Sequence, residues 1–184
     1  MRTHYCGGLR AEQIGQEVEL NGWINRRRDH GGVIFVDLRD REGIAQVVFD
    51  PDREAMFVVA ERLRSEFVIR VRGWVRNRPD GTVNSDLPSG EVEVLAHELE
   101  VLNSAKTPPI QVAEDEVVGE DTRLKYRYVD LRRPAMQQRL MMRAQVVRGL
   151  RHFLDDNGFL DIDCLLYTSP SPRDLSTSRM PSSA

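Results

Sequence analysis

Lysine is nearly absent from this 184-residue chain: Lys106 and Lys125 stand against 24 arginines. Arginine offers planar, forked donors that suit phosphates and base edges, although genomic nucleotide composition can also enrich it without any functional demand. Cysteine is equally scarce. Cys6 and Cys164 lie too far apart for a zinc knuckle and are too few for a disulfide framework, so no metal or redox role is expected. Both read as buried small apolar residues. No run approaches the roughly 18 uninterrupted apolar residues of a membrane helix. The N-terminal MRTHYCGGLR also lacks the apolar stretch of a secretory signal. The expectation is a soluble, cytoplasmic protein with no membrane partner. The 26 basic and 29 acidic side chains leave a net charge of −3, so charge alone does not single out a nucleic-acid partner.

What is present is organised. From 16 to 103 the apolar residues alternate through VELNGWINRRR, VIFVDLRD, GIAQVVFD, FVIRVRGWVRNR and EVEVLAHELEVLN, each bounded by Gly, Asp, Asn or Pro. These predict five strands. Between the third and fourth, DREAMFVVAERLRS places Met56, Ala60 and Leu63 at helical spacing, with Asp52 as a candidate cap. Five short strands with a helix after the third match the mainly β, partly open Greek-key OB-fold barrel. Such barrels bind oligonucleotides on the face of their second and third strands. A β-sandwich would call for about seven strands. The expected organisation is an OB-fold domain over 1–105, a connector over 106–135 in which Pro108 and Pro109 discourage helix, and the start of an α/β domain over 136–163. In that last part a helix carries Leu140, Ala144, Val147, Leu150 and Leu154 on one stripe, with Gly158 as its C-terminal cap, and FLDID reads as the start of a strand.

Several barrel residues have the chemistry to touch RNA. Arg26 and Arg28 are two apart and share a strand face, which suits a phosphate backbone, with Arg27 opposite. Phe35 shares its face with Asp37. That leaves two readings, an aromatic in ordinary core or a platform on which an unpaired base stacks. Gln46 could offer its amide to a base edge or simply be solvated. Arg76 and Arg78 repeat the two-residue spacing, and Asn84 and Glu93 lie around the following turn and last strand. A carboxylate repels phosphate, so Glu93 reads as functional only if it accepts hydrogen bonds from a base such as guanine, and otherwise as a solvated strand charge. One aromatic, paired arginines and a few amide or carboxylate groups suit a short single-stranded RNA loop better than a duplex.

The phrases MRTHYCGGLR, GWINRRRDHGGVIFVDLRDREGIAQVVFDP, SGEVEV, RLKYRYVDLRRP and GFLDID resemble the N-terminal part of bacterial aspartyl-tRNA synthetases, which are class II enzymes. The resemblance runs from residue 1 to about 163. It implies that the barrel binds the anticodon, holding a splayed GUC-type loop. Phe35 would then stack on the middle base, Arg28 and Gln46 would read nearby base edges, Arg26 and Arg78 would hold backbone or bases, and Asn84 with Glu93 would help to select the first anticodon base. It further implies ATP and Mg2+ as cofactors of the complete enzyme, L-aspartate and tRNA as substrates, and a homodimer. His30 and Gly81 resemble the non-discriminating subtype, which charges both aspartate and asparagine tRNAs. Read without the resemblance, both are turn residues flanking strands.

The family would continue GFLDIETP, whereas this chain reads GFLDIDCLLYTSPSPRDLSTSRMPSSA, with Leu165 where the motif 1 proline is expected. Residues 164–184 hold six Ser and three Pro among 21 residues and have no apolar periodicity. They are expected to be a low-complexity, non-native tail. Motifs 2 and 3 would lie beyond it, so no catalytic residue is assigned within this chain, and RNA binding without aminoacylation is expected. The alternative reading is a stand-alone OB-fold module for single-stranded RNA. A third is a protein-interaction barrel with Phe35 in its core.

Overall fold

A computed structural model describes residues 1–79, 81–112 and 117–162. The chain divides into two compact units, Met1–Pro134 and Ala135–Ala184. In the first, β1 (Glu17–His30), β2 (Val33–Arg39), β3 (Ile44–Phe49), β4 (Val68–Asn77) and β5 (Val92–Asn103) close into a barrel in the order β1-β2-β3-β5-β4, with β4 returning to β1. All pairings are antiparallel except the β3–β5 seam, where only Val47↔Val94 and Val48↔Leu95 pair, in parallel. The expected strands are all present, with ends shifted by at most two residues.

Alternation explains the interior. Val18, Leu20 and Ile24 of β1 meet Ile34, Val36 and Leu38 of β2, and equivalent positions of the other strands complete the core. Helix α1 (Glu54–Glu61) sits between β3 and β4 and adds Ala60, with Leu63 just beyond its end and Met56 partly buried against the core. The helix begins two residues after Asp52, and no side chain caps it. Instead Asp50 accepts the Asp52 N–H at 3.0 Å, so the aspartate pair shapes the turn before the helix and does not cap it.

Two 3-10 turns, Cys6–Gly8 and Ala11–Gln13, precede the barrel. Cys6 is fully buried, as expected, and its backbone N–H donates to Asp40 Oδ2 at 2.6 Å. Burial, with Asp40 beside it, pushes the thiol well above its ordinary range and keeps it inert. Cys164 lies outside the described residues.

The connector is more structured than its sequence suggests. It forms α2 (Glu120–Lys125) and α3 (Arg127–Asp130) and packs Ile110, Val112 and Val129 into a small cluster of its own. Acidic residues begin α2 and basic ones end it, in favourable register with the helix dipole. The run RLKYRYVDLRR is not a solvated charge run. Arg123 Nε (3.1 Å), Arg127 Nη1 (2.6 Å) and Arg133 Nη1 (3.6 Å) converge on the fully buried carboxylate of Asp130. Arg132 spreads over the Trp23 ring at 4.7 Å and reaches Glu66 Oε2 at 3.5 Å, while Arg39 holds the other oxygen of that carboxylate at 2.7 Å. Glu66 is buried and has φ +65, the one described non-glycine residue in the left-handed region.

The second unit contains α4 (Pro134–Asp156). Its end is a Schellman motif: the Phe159 N–H donates to Leu154 O, and the Gly158 N–H to Asp155 O, both at 3.0 Å. Gly158 adopts φ +81, a conformation that a side chain would strain. Leu140, Val147, Leu150 and Leu154 keep 38–59% of their surface exposed. Residues 159–162 form no strand, contrary to the FLDID expectation, and have no ladder partner among the described residues; Asp163 and the expected tail over 164–184 lie outside them.

The Asp130 cluster makes stability depend on pH. Burial works to raise its pKa, but the Arg123 hydrogen bond and the charges of Arg123, Arg127 and Arg133 outweigh it and hold the carboxyl below its ordinary value. A depressed folded pKa stabilises above the unfolded value of about 3.9 and is lost as pH falls through the folded pKa. Urea midpoints measured from pH 7 downward are expected to drop below about pH 4, and the drop should be smaller in Asp130→Asn, which starts from a lower midpoint at pH 7.

Candidate nucleic-acid interface

One irregularity in β1 decides which residues face outward. Pairing with β2 runs Trp23↔Arg39 and Ile24↔Leu38, then jumps to Arg26↔Asp37, so Asn25 is an extra residue, a β-bulge. Val18, Leu20 and Ile24 point inward, and strict alternation would send Arg26 and Arg28 inward too. The bulge turns them outward, opposite Asp37 and Phe35. Arg39 Nη1 donates to Asn25 Oδ1 at 2.7 Å and holds the bulge. Arg27 falls on the other face, as its spacing predicts, opposite Val36.

Phe35 is therefore not core. It is half-buried on the outer face, between the inward-facing Ile34 and Val36. His30, the last residue of β1, lies edge-on to it with ring centroids 6.5 Å apart. The hairpin that brings them together turns through Gly31 (φ +62) and Gly32 (φ +81), two successive left-handed residues of the kind a tight two-residue turn requires.

Beside Phe35, one polar side chain from each strand joins a hydrogen-bonded chain across the barrel. Arg28 Nη2 donates to Asp37 Oδ1 at 2.6 Å and to Gln46 Oε1 at 3.4 Å. Gln46 Nε2 donates to Glu93 Oε2 at 2.9 Å, and Arg76 Nε to Glu93 Oε1 at 2.8 Å. Gln46 is buried and Glu93 is 1% exposed, so neither is the solvated strand residue that its sequence also allowed. A buried carboxylate of this kind is tolerable because both oxygens are bonded.

Arg78 follows Arg76 on the same face and is buried. Its Nε donates to Val92 O at 3.1 Å and its Nη1 to Thr82 O at 3.5 Å, while Nη2 has no partner among the described residues. Burial pulls the guanidinium pKa down, Glu93 and Asp37 push it back, and Arg28 adds repulsion. The group stays charged, with a donor to spare. Arg28 Nε is likewise buried and unbonded, and Arg26 is exposed. Two unmet donors in a desolvated site favour an acceptor-bearing ligand.

The β4–β5 loop carries the remaining candidates. Asn84 Oδ1 accepts the Asp86 N–H at 3.0 Å, and its backbone N–H donates to Gly90 O at 3.1 Å, so the side-chain oxygen is spent on the turn. The Ser89 hydroxyl donates to Ile44 O and ties the loop to β3. Gly81 is exposed at φ +81 in the same loop. The structure thus joins Arg28, Gln46 and Glu93 by hydrogen bonds, sets Arg26 and Phe35 beside them, and leaves Arg78 electrostatically coupled to them. His30 borders Phe35, and Asn84 and Gly81 are held in a loop. Asp37 and Arg76, which complete the polar chain, were not singled out as partners of the candidates by sequence reasoning. Their roles follow from cross-strand register, which no local pattern reveals.

Residues 18–102 match the family described as OB-fold nucleic acid binding domain, and residues 119–174 match the tRNA synthetases class II (D, K and N). The first match falls on the barrel and the second begins just before α2 and takes in α2, α3 and α4. Solved structures share the fold. Asparaginyl-tRNA synthetase from Pyrococcus horikoshii, solved with asparaginyl-adenylate, is 26% identical, with a TM-score of 0.74 over 87% of this chain and 36% of that one. A putative aspartyl-tRNA synthetase from Leishmania major Friedlin shares the fold at 23% identity, TM-score 0.76, 88% and 34% coverage. Aspartyl-tRNA synthetase from Entamoeba histolytica does so at 18% identity, TM-score 0.75, 89% and 40% coverage. This chain spans between a third and two fifths of the length of these relatives.

Removing Glu93 should test the polar chain as a structural unit. Glu93→Ala leaves Gln46 Nε2 and Arg76 Nε without their acceptor, and loss of a buried partner costs about 1–3 kcal/mol. A urea titration should show that fall in stability at unchanged m-value.

Proposed function

We propose that this chain is the anticodon-binding part of an aspartate–tRNA ligase, together with the beginning of its catalytic domain. The observation that carries the proposal is the outer barrel face, where solvent-facing Phe35 borders the Arg28–Gln46–Glu93 chain. In this reading the middle base of a splayed GUC-type loop stacks on Phe35, Arg28 and Gln46 meet neighbouring base edges, and Arg26 and Arg78 hold phosphate or base acceptors. Glu93, already held at one lone pair of each oxygen by Gln46 and Arg76, would use the remaining lone pairs to accept from the N1–H and N2–H₂ of a guanine-type first base once that base displaces the covering side chains, and Asn84 contributes its amide NH₂. The aspartate assignment rests on the sequence phrases shared with aspartyl enzymes. The class II match over 119–174 weighs against a stand-alone RNA-binding barrel.

The complete enzyme would use ATP and Mg2+ to activate L-aspartate as an adenylate, from which the tRNA terminal ribose takes the aspartyl group. None of those steps is assigned to a residue of this chain, whose part would be RNA binding, and the complete enzyme would act in the cytoplasm as a homodimer. His30, edge-on to Phe35, and the compact Gly81 support the non-discriminating subtype, in which the third anticodon position tolerates either base.

Binding of the chain to an aspartate-tRNA anticodon stem-loop, measured at two salt concentrations, should exceed binding to a loop with its middle base changed. Phe35→Ala should weaken the native loop by about 1–3 kcal/mol. Equal, weak binding of all loops by a folded protein would overturn the assignment. For the complete enzyme, steady-state charging of both tRNAs is expected. An asparagine-tRNA efficiency lower by more than about 10³, or roughly 4 kcal/mol, would assign it to the discriminating subtype.

A further inference from the structure

A second row of outward residues runs beside the polar chain. Arg28, Phe35, Val48, Leu95 and Trp74 are successive cross-strand partners through β1, β2, β3, β5 and β4. Val48 is buried yet stands apart from the barrel core, Leu95 is half-buried, and Trp74 is 48% exposed. The row is aliphatic in the middle, with Val48 covered and Leu95 reaching the surface, and it has an aromatic ring near each end. Neighbouring strands lie about 4.8 Å apart, so three steps separate Phe35 from Trp74 by roughly 14 Å along the surface. One base does not span that distance.

Trp74 is held in place. Its ring centroid lies 6.2 Å from that of His97, tilted by 45°, and His97 Nε2 lies 2.6 Å from Glu17 Oε1. His97 occupies this position because β5 bulges there: pairing passes from Arg72↔Glu98 directly to Gly73↔Ala96. The ring is thus supported on one side and open on the other, an arrangement that costs little entropy when a base stacks on it. Arg76, the next outward residue of β4, bonds Glu93 through Nε alone, which leaves its two Nη groups for a phosphate oxygen. A lone exposed tryptophan would need no explanation. This one continues the row that begins at the candidate RNA face; its partner on β1 is Glu17, and the cation that suits a polyanion is Arg76, the next outward residue of β4.

Resting on the RNA-binding reading of this face, we propose that Trp74 is a second stacking platform, taking an RNA base outside the three that the polar chain reads. The RNA path then runs from Phe35 over Val48 and Leu95 to Trp74. OB-folds engage about 4–16 nucleotides, more than a triplet supplies. Every base has a π-face, so this platform adds affinity without selecting sequence.

The test compares Trp74→Ala, Trp74→Phe and Phe35→Ala in the full chain. Each binds the anticodon stem-loop, its middle-base variant, and loops carrying one abasic nucleotide at each position in turn. Trp74→Ala should weaken the native and altered triplets by the same factor, about five- to hundredfold. Trp74→Phe should stay close to the parent. The Trp74→Ala loss should vanish with the abasic site at one loop position outside the triplet. Unchanged affinity in Trp74→Ala, or a loss that maps to a triplet base, overturns the proposal. A lowered thermal midpoint with unchanged RNA affinity overturns it too, and leaves Trp74 as a support for His97. If Phe35→Ala still removes triplet preference while Trp74→Ala is silent, the anticodon interface stands and only the second platform falls. If neither variant changes binding, both fall.

Discussion

The barrel's outer face is organised around a carboxylate that has no access to water. Glu93 is 1% exposed, and its burial requires that Gln46 and Arg76 each satisfy one of its oxygens. That requirement fixes the Gln46 amide, since Nε2 must face Glu93 and Oε1 is then left for Arg28. Arg28 in turn divides its guanidinium between Gln46 and Asp37. Groups that would read a base are thereby oriented before any base arrives. The same chain spans the β3–β5 seam, where the backbone supplies only two ladder pairs, so the side chains that define the surface also help to hold the barrel shut.

Much of this was legible in the sequence. Period-two alternation, broken by Gly, Asn and Asp, located all five strands, and helical spacing placed Met56, Ala60 and Leu63 toward the core. The shared parity of Phe35 and Asp37 left core and platform both open, and the structure decides for the outer face. What escaped were features set by register between distant segments. Nothing local to Arg76 announces Glu93, and nothing local to Trp74 announces Leu95 or His97. The Asn25 bulge has no compositional mark, and nothing in RLKYRYVDLRRP itself shows that Asp130 is buried among its arginines. Asp52 was misread as a cap because any aspartate ahead of a helix looks like one, whereas here Asp50 took the local donors.

The connector extends this theme of charge held by geometry. Asp130 collects three arginines and Glu66 collects two, one of them from β2 and the other from the segment after α3. Glu66 also holds a left-handed backbone that its side chain disfavours, a cost offset by its hydrogen bond to Arg39 and its ion pair with Arg132. Arg39 bonds Asn25 as well, so the residue that secures the strained turn also secures the bulge that aims Arg26 and Arg28.

That bulge makes the barrel's outward chemistry a matter of parity. One residue more or fewer before Arg26 exchanges inside for outside along the rest of β1, while the turn at Gly31–Gly32 and the other four strands keep their places. The run Arg26–Arg27–Arg28 lessens the damage, because either parity leaves at least one guanidinium on the outer surface. Three adjacent arginines thus act as an error-tolerant code: a slip of the strand would cost the fine alignment with Asp37 and Gln46, yet the face would keep its positive charge.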